Sequence, residues 1–447
     1  MADWKAYYKE HLVTVEEAAK QIKPGDCVWI GQASEMPVEV LDEMHAHQED
    51  YHDIKIQWNC ANAPFDFLFD PTSKEHVRLQ GYFGLPLERI SSEMGIFEYL
   101  GCNYDFFNKC PDVHGMNTLM VRVCPPDEDG FCNYGTYGVC TTSPIAKHPN
   151  ITKKIGIIDR TGNFPVLGDR DIVAINVTEF DYIVECDSEF MEVPAPQATD
   201  VDVAVAAYIA PFINEGDRVE IGWGGLGEEI LRNLKDKGIK FEVYSEVACD
   251  STLPLLKEGI ITHITSVAPG ACSEEFMRQI GFDDRITLVT QMTGIHPFSI
   301  AQVENIVAIN STFMIDLIGQ CCSEAQGLVP YSGAGGSFSY IYGATQAKGG
   351  RSFICLRSTY KVDGVLHSNV VPWLPEGSIV TTPKNFVMYL VSEWGVADVY
   401  LKSLKDRIRT IIEIAHPDFR AELKEKICST PLISEEDFDI LATYDHK

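Results

Sequence analysis

The chain of 447 residues is short of positive charge, with 36 Lys and Arg against 65 Asp and Glu and a formal net charge of −29. A surface of this sign repels nucleic acids and anionic membranes, so neither is an expected partner. A phosphate-bearing ligand would have to be held by local backbone N–H groups and a few basic side chains.

Long hydrophobic runs are also missing, since none approaches the roughly 20 residues that a membrane span requires. The first ten residues, MADWKAYYKE, lack the apolar stretch of a secretory signal. We therefore expect a cytoplasmic protein without membrane segments.

Several catalytic signatures are absent. The 14 cysteines include no Cys-x-x-Cys pair, so the spacing of a zinc site is missing and reduced, buried thiols are expected. The chain has neither the His-Glu-x-x-His motif of zinc proteases nor the Gly-x-Ser-x-Gly elbow of serine hydrolases. Metal-dependent and serine-dependent hydrolysis are thus disfavoured.

Strand and helix patterns alternate along the first half, which favours an open, mainly parallel α/β sheet. Segments 26–31, 54–58, 117–123, 155–158 and 171–175 read as strands, and 37–45 reads as a helix. The proline-containing segment 192–200 is the best linker, which predicts domains at 1–195 and 196–447. Segment 24–31 is similar to segment 215–222, a hint of two related halves.

Glu246 stands at the end of a predicted βαβ unit. Segment 217–222 reads as a strand and 222–227 as a tight glycine turn, and a helix that Gly238 closes leads to a strand at 239–244. Parallel units of this kind place ligands at the carboxyl ends of their strands. A carboxylate held there in a water-poor site can act as a covalent nucleophile.

Two glycine clusters could approach a ligand through their backbone. The turn of Gly222, Trp223, Gly224 and Gly225 could hold phosphate, although its spacing fits a dinucleotide motif poorly. Segment 331–344 has three glycines in four residues, and the free N–H groups of such a loop could bind an oxyanion. A plain turn and a plain loop are the alternatives.

The motifs that carry a family resemblance are spread over most of the chain. They are Cys124-Pro-Pro-Asp-Glu-Asp-Gly130, Ile221-Gly-Trp-Gly-Gly225, Ser245-Glu246, Ala308-Ile-Asn-Ser311, Asp316-Leu-Ile-Gly-Gln320, Ser332-Gly-Ala-Gly-Gly336, Ser392-Glu-Trp-Gly-Val-Ala397 and Ile414-Ala-His-Pro-Asp-Phe-Arg420. In this order they resemble family I coenzyme A transferases. The branch they resemble is the acetyl-CoA hydrolase/transferase branch, which includes 4-hydroxybutyrate CoA-transferase and butyryl-CoA:acetate CoA-transferase.

The resemblance implies two related open α/β domains with mainly parallel sheets and the active site at their interface. It implies that Glu246 is the nucleophile of a ping-pong transfer of CoA between short-chain acids, such as butyryl-CoA or 4-hydroxybutyryl-CoA with acetate. Gly335 and Gly336 become candidates for binding the oxyanions. The remaining candidates, for the CoA channel, are Gly222, Trp223, Gly224, Gly225, Ser332 and Gly333.

CoA itself would be a substrate, with no metal or redox cofactor required. The implied partners are an acyl-CoA and a short-chain carboxylate, the implied assembly is a homodimer or homotetramer, and anaerobic fermentation is the expected setting.

Some positions depart from the family pattern. Ser337 and Ser339 stand where Gln and Asp are common, and Glu220 stands where Gln is common. These changes favour altered specificity, while an acyl-CoA hydrolase or a catalytically silent CoA-binding subunit are the alternatives. Asn310, His296 and Glu393 are additional candidates near the site.

Overall fold

The computed structural model describes residues 3–192, 197–222, 224–270 and 272–442. The strands of the first half are β1 (Cys27–Gln32), β2 (Ile54–Asn59), β3 (Val77–Gly81), β4 (Phe97–Tyr99), β5 (Thr118–Val123), β6 (Phe131–Asn133), β7 (Lys153–Asp159), β8 (Ala174–Asn176) and β9 (Tyr182–Cys186). Its α-helices are α1 (Trp4–His11), α2 (Val15–Ala19), α3 (Val38–Ala46), α4 (Pro86–Glu93), α5 (Cys110–His114), α6 (Gly135–Gly138), α7 (Thr142–Ala146) and α8 (Arg170–Val173).

The second half contains more strands. They are β10 (Arg218–Ile221), β11 (Phe241–Ala248), β12 (Ile261–Pro269), β13 (Ile286–Leu288), β14 (Ile306–Ser311), β15 (Met314–Asp316), β16 (Cys321–Cys322), β17 (Ala325–Gln326), β18 (Val329–Pro330), β19 (Arg351–Cys355), β20 (Thr359–Val362), β21 (Val365–Ser368), β22 (Val370–Val371), β23 (Tyr389–Ser392) and β24 (Gly395–Asp398). Its α-helices are α9 (Asp200–Ile209), α10 (Gly225–Lys237), α11 (Thr252–Lys257), α12 (Glu274–Ile280), α13 (Gln291–Gly294), α14 (Pro297–Ile300), α15 (Ser337–Gln346), α16 (Leu404–Glu413), α17 (Pro417–Cys428) and α18 (Glu435–Ala442).

Two large sheets organise the described residues. The first has the order β4-β3-β2-β1-β5-β7-β9, and all of its pairings are parallel. The second has the order β13-β12-β11-β10-β14-β19-β23-β24, parallel except for the final hairpin. In both, the first strand lies in the middle and its successors extend to one side before the chain crosses to the other. The predicted α/β fold class is confirmed.

An aspartate directly before the first strand of each sheet forms the same kind of ion pair. Asp26 accepts a bond from the Lys153 ammonium at 2.5 Å, and Asp217 accepts one from the Arg351 guanidinium at 2.7 Å. Lys153 begins β7 and Arg351 begins β19, the strands two places along in each sheet. The similarity of segments 24–31 and 215–222 therefore reflects equivalent positions in two related sheets.

The βαβ unit at 217–248 forms as predicted. Helix α10 buries Ile230, Leu231 and Leu234 against the sheet, which is the apolar stripe that its sequence periodicity indicates. Gly238 ends the helix with φ +70°, the left-handed conformation that favours glycine at this position. Strand β11 runs further than predicted, so that Glu246 lies within the strand near its carboxyl end.

The two halves share a hydrophobic core. Trp29, Tyr82 and Phe107 from the first half pack in one cluster with Ile295 and Tyr340 from the second. Burial of this apolar area holds the ends of the two sheets against one another. Residues at those strand ends are therefore brought together across the halves.

One predicted strand is wrong and one boundary stays a prediction. Segment 171–175 begins in helix α8, because the Asp169 side chain caps it by accepting the Asp171 N–H at 3.0 Å, and only Ala174 starts strand β8. The predicted boundary between residues 195 and 196 lies outside the described residues. Across the described parts of the chain, no helix has the length and apolarity to cross a bilayer.

Candidate active site

A cavity of about 290 Å³ lies where the carboxyl ends of strands from both sheets meet. The second half contributes the ends of β10, β11, β12 and β14 and the loop before α15, and the first half contributes the ends of β1 and β2. Its lining residues are Gln32, Ala33, Asn59, Cys60, Asn62, Phe83, Leu85, Tyr104, Tyr137, Glu220, Ile221, Gly222, Glu246, Val247, Val267, Ala268, Pro269, Gly270, Asn310, Ala334, Gly335, Gly336 and Ser337. Ligands commonly bind at such strand ends in parallel α/β sheets.

Glu246 lines this cavity from β11. The backbone N–H of Gly336 donates to its Oε2 atom at 3.1 Å, and Gly336 directly precedes helix α15. Burial raises the pKa of Glu246 to about 7, and the bond from Gly336 acts in the opposite direction. A carboxylate with this pKa is ionised in a large fraction at neutral pH, yet it is poorly solvated and therefore reactive.

Close packing requires a glycine at position 336. A Cβ at this position would collide with the Glu246 carboxylate and with Ile295. Glycine therefore lets the backbone approach the carboxylate directly. The N-terminus of α15 also points its partial positive charge at the same oxygen.

The glycine loop is positioned by the first half of the chain. The Tyr104 N–H donates to the Gly335 carbonyl at 3.1 Å, and Arg89 donates to the Tyr331 carbonyl at 3.1 Å while it stacks on the Tyr331 ring. Gly335 itself has φ +60°, a conformation that favours glycine. The position of the Gly336 N–H at Glu246 thus depends on both halves.

A second carboxyl group lines the cavity. Glu220 is 3 % exposed, and its Oε2 atom accepts the Ile309 N–H at 2.7 Å and the Asn310 Nδ2 at 2.9 Å. Burial raises the pKa of Glu220 well above its usual range, and the nearby charge of Glu246 adds to the effect.

The first half supplies an amide and phenol wall. The Asn59 Nδ2 donates to Gln32 Oε1 at 3.3 Å and to the Tyr104 hydroxyl at 3.2 Å, and the Tyr104 hydroxyl donates to Gln32 Oε1 at 2.8 Å. Asn59 is buried, and its Oδ1 atom has no hydrogen-bond partner within the described residues. A buried acceptor without a partner is costly, which is typical of a group that meets a ligand.

The same wall carries backbone strain. Ala33 and Cys60 have φ values of +47° and +56°, in the left-handed region that residues with a Cβ rarely adopt. The Ala33 N–H donates to the Cys60 carbonyl at 3.0 Å, so the two residues are held together after β1 and β2. Each conformation costs on the order of 1 kcal/mol, and such strain clusters at functional sites.

The sequence candidates fall into two groups. Glu246, Gly335, Gly336 and Gly222 all line the cavity. Gly224 and Gly225 do not line it: Gly224 precedes α10 with φ +137°, and Gly225 packs so closely on Ala198 that a Cβ would collide there. Trp223 lies outside the described residues.

The remaining candidates do not line the cavity. The Ser332 hydroxyl accepts the Gly84 N–H at 3.0 Å, and a Cβ on Gly333 would strike the Tyr82 carbonyl. Both positions therefore have a packing explanation, and their contact with CoA stays a prediction.

Of the additional candidates, Asn310 lines the cavity. His296 caps α14 by accepting the Phe298 N–H, and Glu393 accepts bonds from Ser358. Sequence reasoning missed Gln32, Asn59 and Tyr104. The similarity of segments 24–31 and 215–222 does not locate Asn59, because Asn59 follows the first segment by 28 residues and Glu246 follows the second by 24.

A larger cavity of about 790 Å³ lies close by in the second half. Its lining includes Leu226, next to the glycine turn, and Ser311, next to Asn310. Arg357 and Lys361 also line it, and Arg357 is partly neutralised by Asp202 at 3.5 Å. Basic side chains beside a long cavity could hold the phosphates of a large anionic ligand.

The chain is similar to known proteins over most of its length. Residues 272–427 match the family model described as the acetyl-CoA hydrolase/transferase C-terminal domain. The chain is 31 % identical over 437 residues to the 4-hydroxybutyrate coenzyme A transferase of Clostridium kluyveri, covering 94 % of this chain and 98 % of that protein. It is 30 % identical over 436 residues to the succinyl-CoA:cyclohexane-1-carboxylate CoA transferase of Geobacter metallireducens, covering 94 % and 95 %.

Among solved structures, the chain is similar to RipA from Yersinia pestis. The two superpose with a TM-score of 0.85 at 26 % sequence identity, covering 96 % of this chain and all of that one. The likeness thus extends over both sheets and is not confined to the matched C-terminal segment.

Proposed function

The chain belongs to the acetyl-CoA hydrolase/transferase family of coenzyme A transferases, and we propose that it moves CoA between short-chain carboxylic acids through a glutamyl-CoA thioester on Glu246. Pairs such as butyryl-CoA or 4-hydroxybutyryl-CoA with acetate are the proposed substrates. No cofactor besides the substrate CoA takes part. The proposed setting is fermentation in the cytoplasm, with a homodimer or homotetramer as the assembly.

One observation carries the proposal: Glu246 lies in the cavity with the Gly336 N–H on one of its oxygens. In the first step the Glu246 carboxylate attacks the thioester carbonyl, which breaks the C–S bond and gives an acyl-glutamyl anhydride and CoA thiolate. The thiolate then adds to the glutamyl carbonyl and releases the first acid as its carboxylate.

The position of Gly336 suits this second step. When the thiolate adds to the glutamyl carbonyl, a Glu246 oxygen becomes an oxyanion, and the Gly336 N–H already points at such an oxygen. An incoming carboxylate then attacks the thioester, and the same two steps run in reverse. Glu246 returns to a free carboxylate, so atoms and charge balance over the cycle.

The neighbouring cavity suits the remainder of CoA. We place the nucleotide end beside Arg357 and Lys361, and the pantetheine arm past Gly222 towards Glu246. Among the described residues beyond its chain neighbours, a Cβ on Gly222 would meet only the Ile309 carbonyl, at 3.9 Å, so these residues leave space for a ligand above this glycine.

The test combines an assay with intact mass. The protein is incubated with butyryl-CoA, with and without acetate, and the CoA species are separated. Acetyl-CoA formed only with acetate supports transfer, whereas free CoA formed without acetate supports hydrolysis. Borohydride reduces a glutamyl thioester to an alcohol, so a mass loss of about 14 Da in wild type and none in Glu246→Ala would place the intermediate on Glu246. An unchanged wild-type mass with several acyl-CoAs would contradict the proposal.

A further inference from the structure

Two carboxyl groups share the cavity, and no cation accompanies them. Glu220 and Glu246 both line it, while none of the described lining residues is Lys, Arg or His. Neither carboxyl group forms an ion pair within the described parts of the chain. An ionised Glu220 would place a second negative charge in this poorly solvated space, beside Glu246 in the free enzyme and beside the substrate carboxylate when the thioester has formed, which is strongly unfavourable.

The hydrogen bonds of Glu220 leave one oxygen for a ligand. Its Oε2 atom accepts both protein donors, from Ile309 and Asn310. Its Oε1 atom takes part in no hydrogen bond among the described residues, although Glu220 lines the cavity. A protonated carboxyl group carries one donor as well as acceptors. With Oε2 occupied as an acceptor, the proton belongs on Oε1.

The groups that face Glu220 act in two directions. The charge of Glu246 on β11 favours the neutral form of Glu220, whereas the bonds from the Ile309 N–H and the Asn310 amide on β14 favour its ionised form. Tyr340 on α15 and Cys355 on β19 also lie close enough for the charge of Glu220 to raise their pKa values. None of them supplies a positive charge. Burial and the charge of Glu246 raise the pKa of Glu220 well above its usual range, whereas the pKa of Glu246 is about 7. These directions favour a proton on Glu220 over one on Glu246.

We propose that Glu220 is a neutral carboxylic acid whose Oε1–H binds the carboxylate of the incoming acid. The inference rests on the proposed function, since an acid must enter the cavity and attack the thioester on Glu246. While that thioester exists, Glu246 carries no charge, and the substrate carboxylate is the anion that the Glu220 proton faces. Gly336 donates to the Glu246 oxygen, so the two donors serve different partners.

A distinct pH dependence follows. Protonation of Glu246 below pH about 7 lowers kcat/KM for the acyl-CoA, because the nucleophile is lost. Deprotonation of Glu220 at higher pH lowers kcat/KM for the acid, because the donor becomes a like charge. That alkaline decline approaches about tenfold per pH unit. The acidic limb therefore belongs to the nucleophile and the alkaline limb to Glu220.

The experiment measures kcat/KM for acetate and for butyryl-CoA between about pH 5 and about pH 10. Wild type, Glu220→Gln and Glu35→Gln are compared. Glutamine keeps an N–H donor at position 220 and cannot ionise, so the alkaline decline for acetate disappears in Glu220→Gln. Glu35→Gln is the matched control, because Glu35 is a buried carboxyl with its pKa raised to about 8 and does not line the cavity. This control keeps the alkaline decline.

An infrared difference spectrum supplies a readout that is independent of activity. At neutral pH, wild type minus Glu220→Gln should show the carbonyl stretch of a protonated carboxylic acid. A carboxylate band in that difference would overturn the proposal, and so would an alkaline decline for acetate that is the same in wild type and in Glu220→Gln. If no acid accepts CoA at all, the proposed function fails, while the infrared difference still decides the protonation of Glu220.

Discussion

The two sheets share one strand order but end their second strands differently. In the first sheet, Cys27 directly follows Asp26 and pairs with Lys55 on the second strand. In the second sheet, Arg218 directly follows Asp217 and pairs with Glu242 on the second strand. Four residues further along the second strand, the first half has Asn59 and the second half has Glu246. Two equivalent positions thus face one cavity with an amide and a carboxylate.

The difference shows that the common fold provides equivalent positions at the cavity, and that the side chain at each position decides its chemistry. The Asn59 amide is bonded to Gln32 and Tyr104, which fixes a polar wall. Glu246 has instead one backbone donor, from Gly336, and its pKa is raised by burial. In the proposed function, one half therefore provides the reacting group, and the other provides a surface that shapes the space in front of it.

The largest effect is expected when the two positions are made alike. Glu246→Asn replaces the carboxylate by the residue of the equivalent position and removes the proposed nucleophile, which should lower kcat by about 10³-fold or more. Steady-state CoA transfer, monitored by separation of the CoA species, measures the loss.

A matched control lies on the same strand. Glu242 forms only a half-exposed pair with Arg218 at 2.9 Å, so Glu242→Asn should keep nearly full activity. Comparable losses in the two variants would mean that asparagine disturbs β11 itself, and the assignment of Glu246 as nucleophile would lose its support.

The second largest effect is expected at the buried ion pair that precedes the first strand of each sheet. Asp26 and Asp217 are buried and pair with Lys153 and Arg351, so Asp26→Asn or Asp217→Asn leaves a cation with a weakened partner. Each change should lower the free energy of unfolding by about 2–3 kcal/mol. Thermal unfolding of both variants measures the effect, and similar decreases in Tm are expected.

Unequal decreases would show that the two pairs differ in energy despite their equivalent places. Because both pairs lie at the amino ends of their strands, away from the cavity, kcat should fall much less than in Glu246→Asn. A large loss of kcat with little change in Tm would contradict this separation of stability from catalysis.

The sequence alone indicated much of this arrangement. The periodicity of 217–248 predicted the βαβ unit that positions Glu246, and the glycine loop was identified through Gly335 and Gly336. These features are local, because turns, helix periodicity and strand ends are written in neighbouring residues. The prediction of a strand at 171–175 is wrong, since the Asp169 side chain caps helix α8 at the start of this segment.

The contacts of the amide and phenol wall and the neutral state of the second carboxyl group, Glu220, cannot be predicted from local sequence patterns. Asn59 meets Tyr104 and Gln32 only because β1 and β2 are paired and the segment after β4 folds over them. The neutral state of Glu220 likewise depends on burial and on Glu246, which lies on another strand. Contacts between distant segments cannot be predicted from neighbouring residues in the sequence. They become apparent only when the pairing register of the strands is known.

The smallest expected effect comes from giving the first half a carboxyl group of its own. Asn59→Asp adds a third carboxyl to the cavity and sets an acceptor against Gln32 Oε1 in place of a donor. Like charges oppose the entry of an anionic substrate, so kcat/KM for acetate should fall about tenfold, with a steeper loss as pH rises. Asn59→Leu is the control that removes the amide without adding charge, and its loss should not depend on pH. If both variants show the same loss at every pH, the missing amide and not the added charge is responsible. A steeper alkaline loss in Asn59→Asp alone would mean that the cavity tolerates one ionised carboxyl group, which explains why equivalent positions of two related sheets carry different residues.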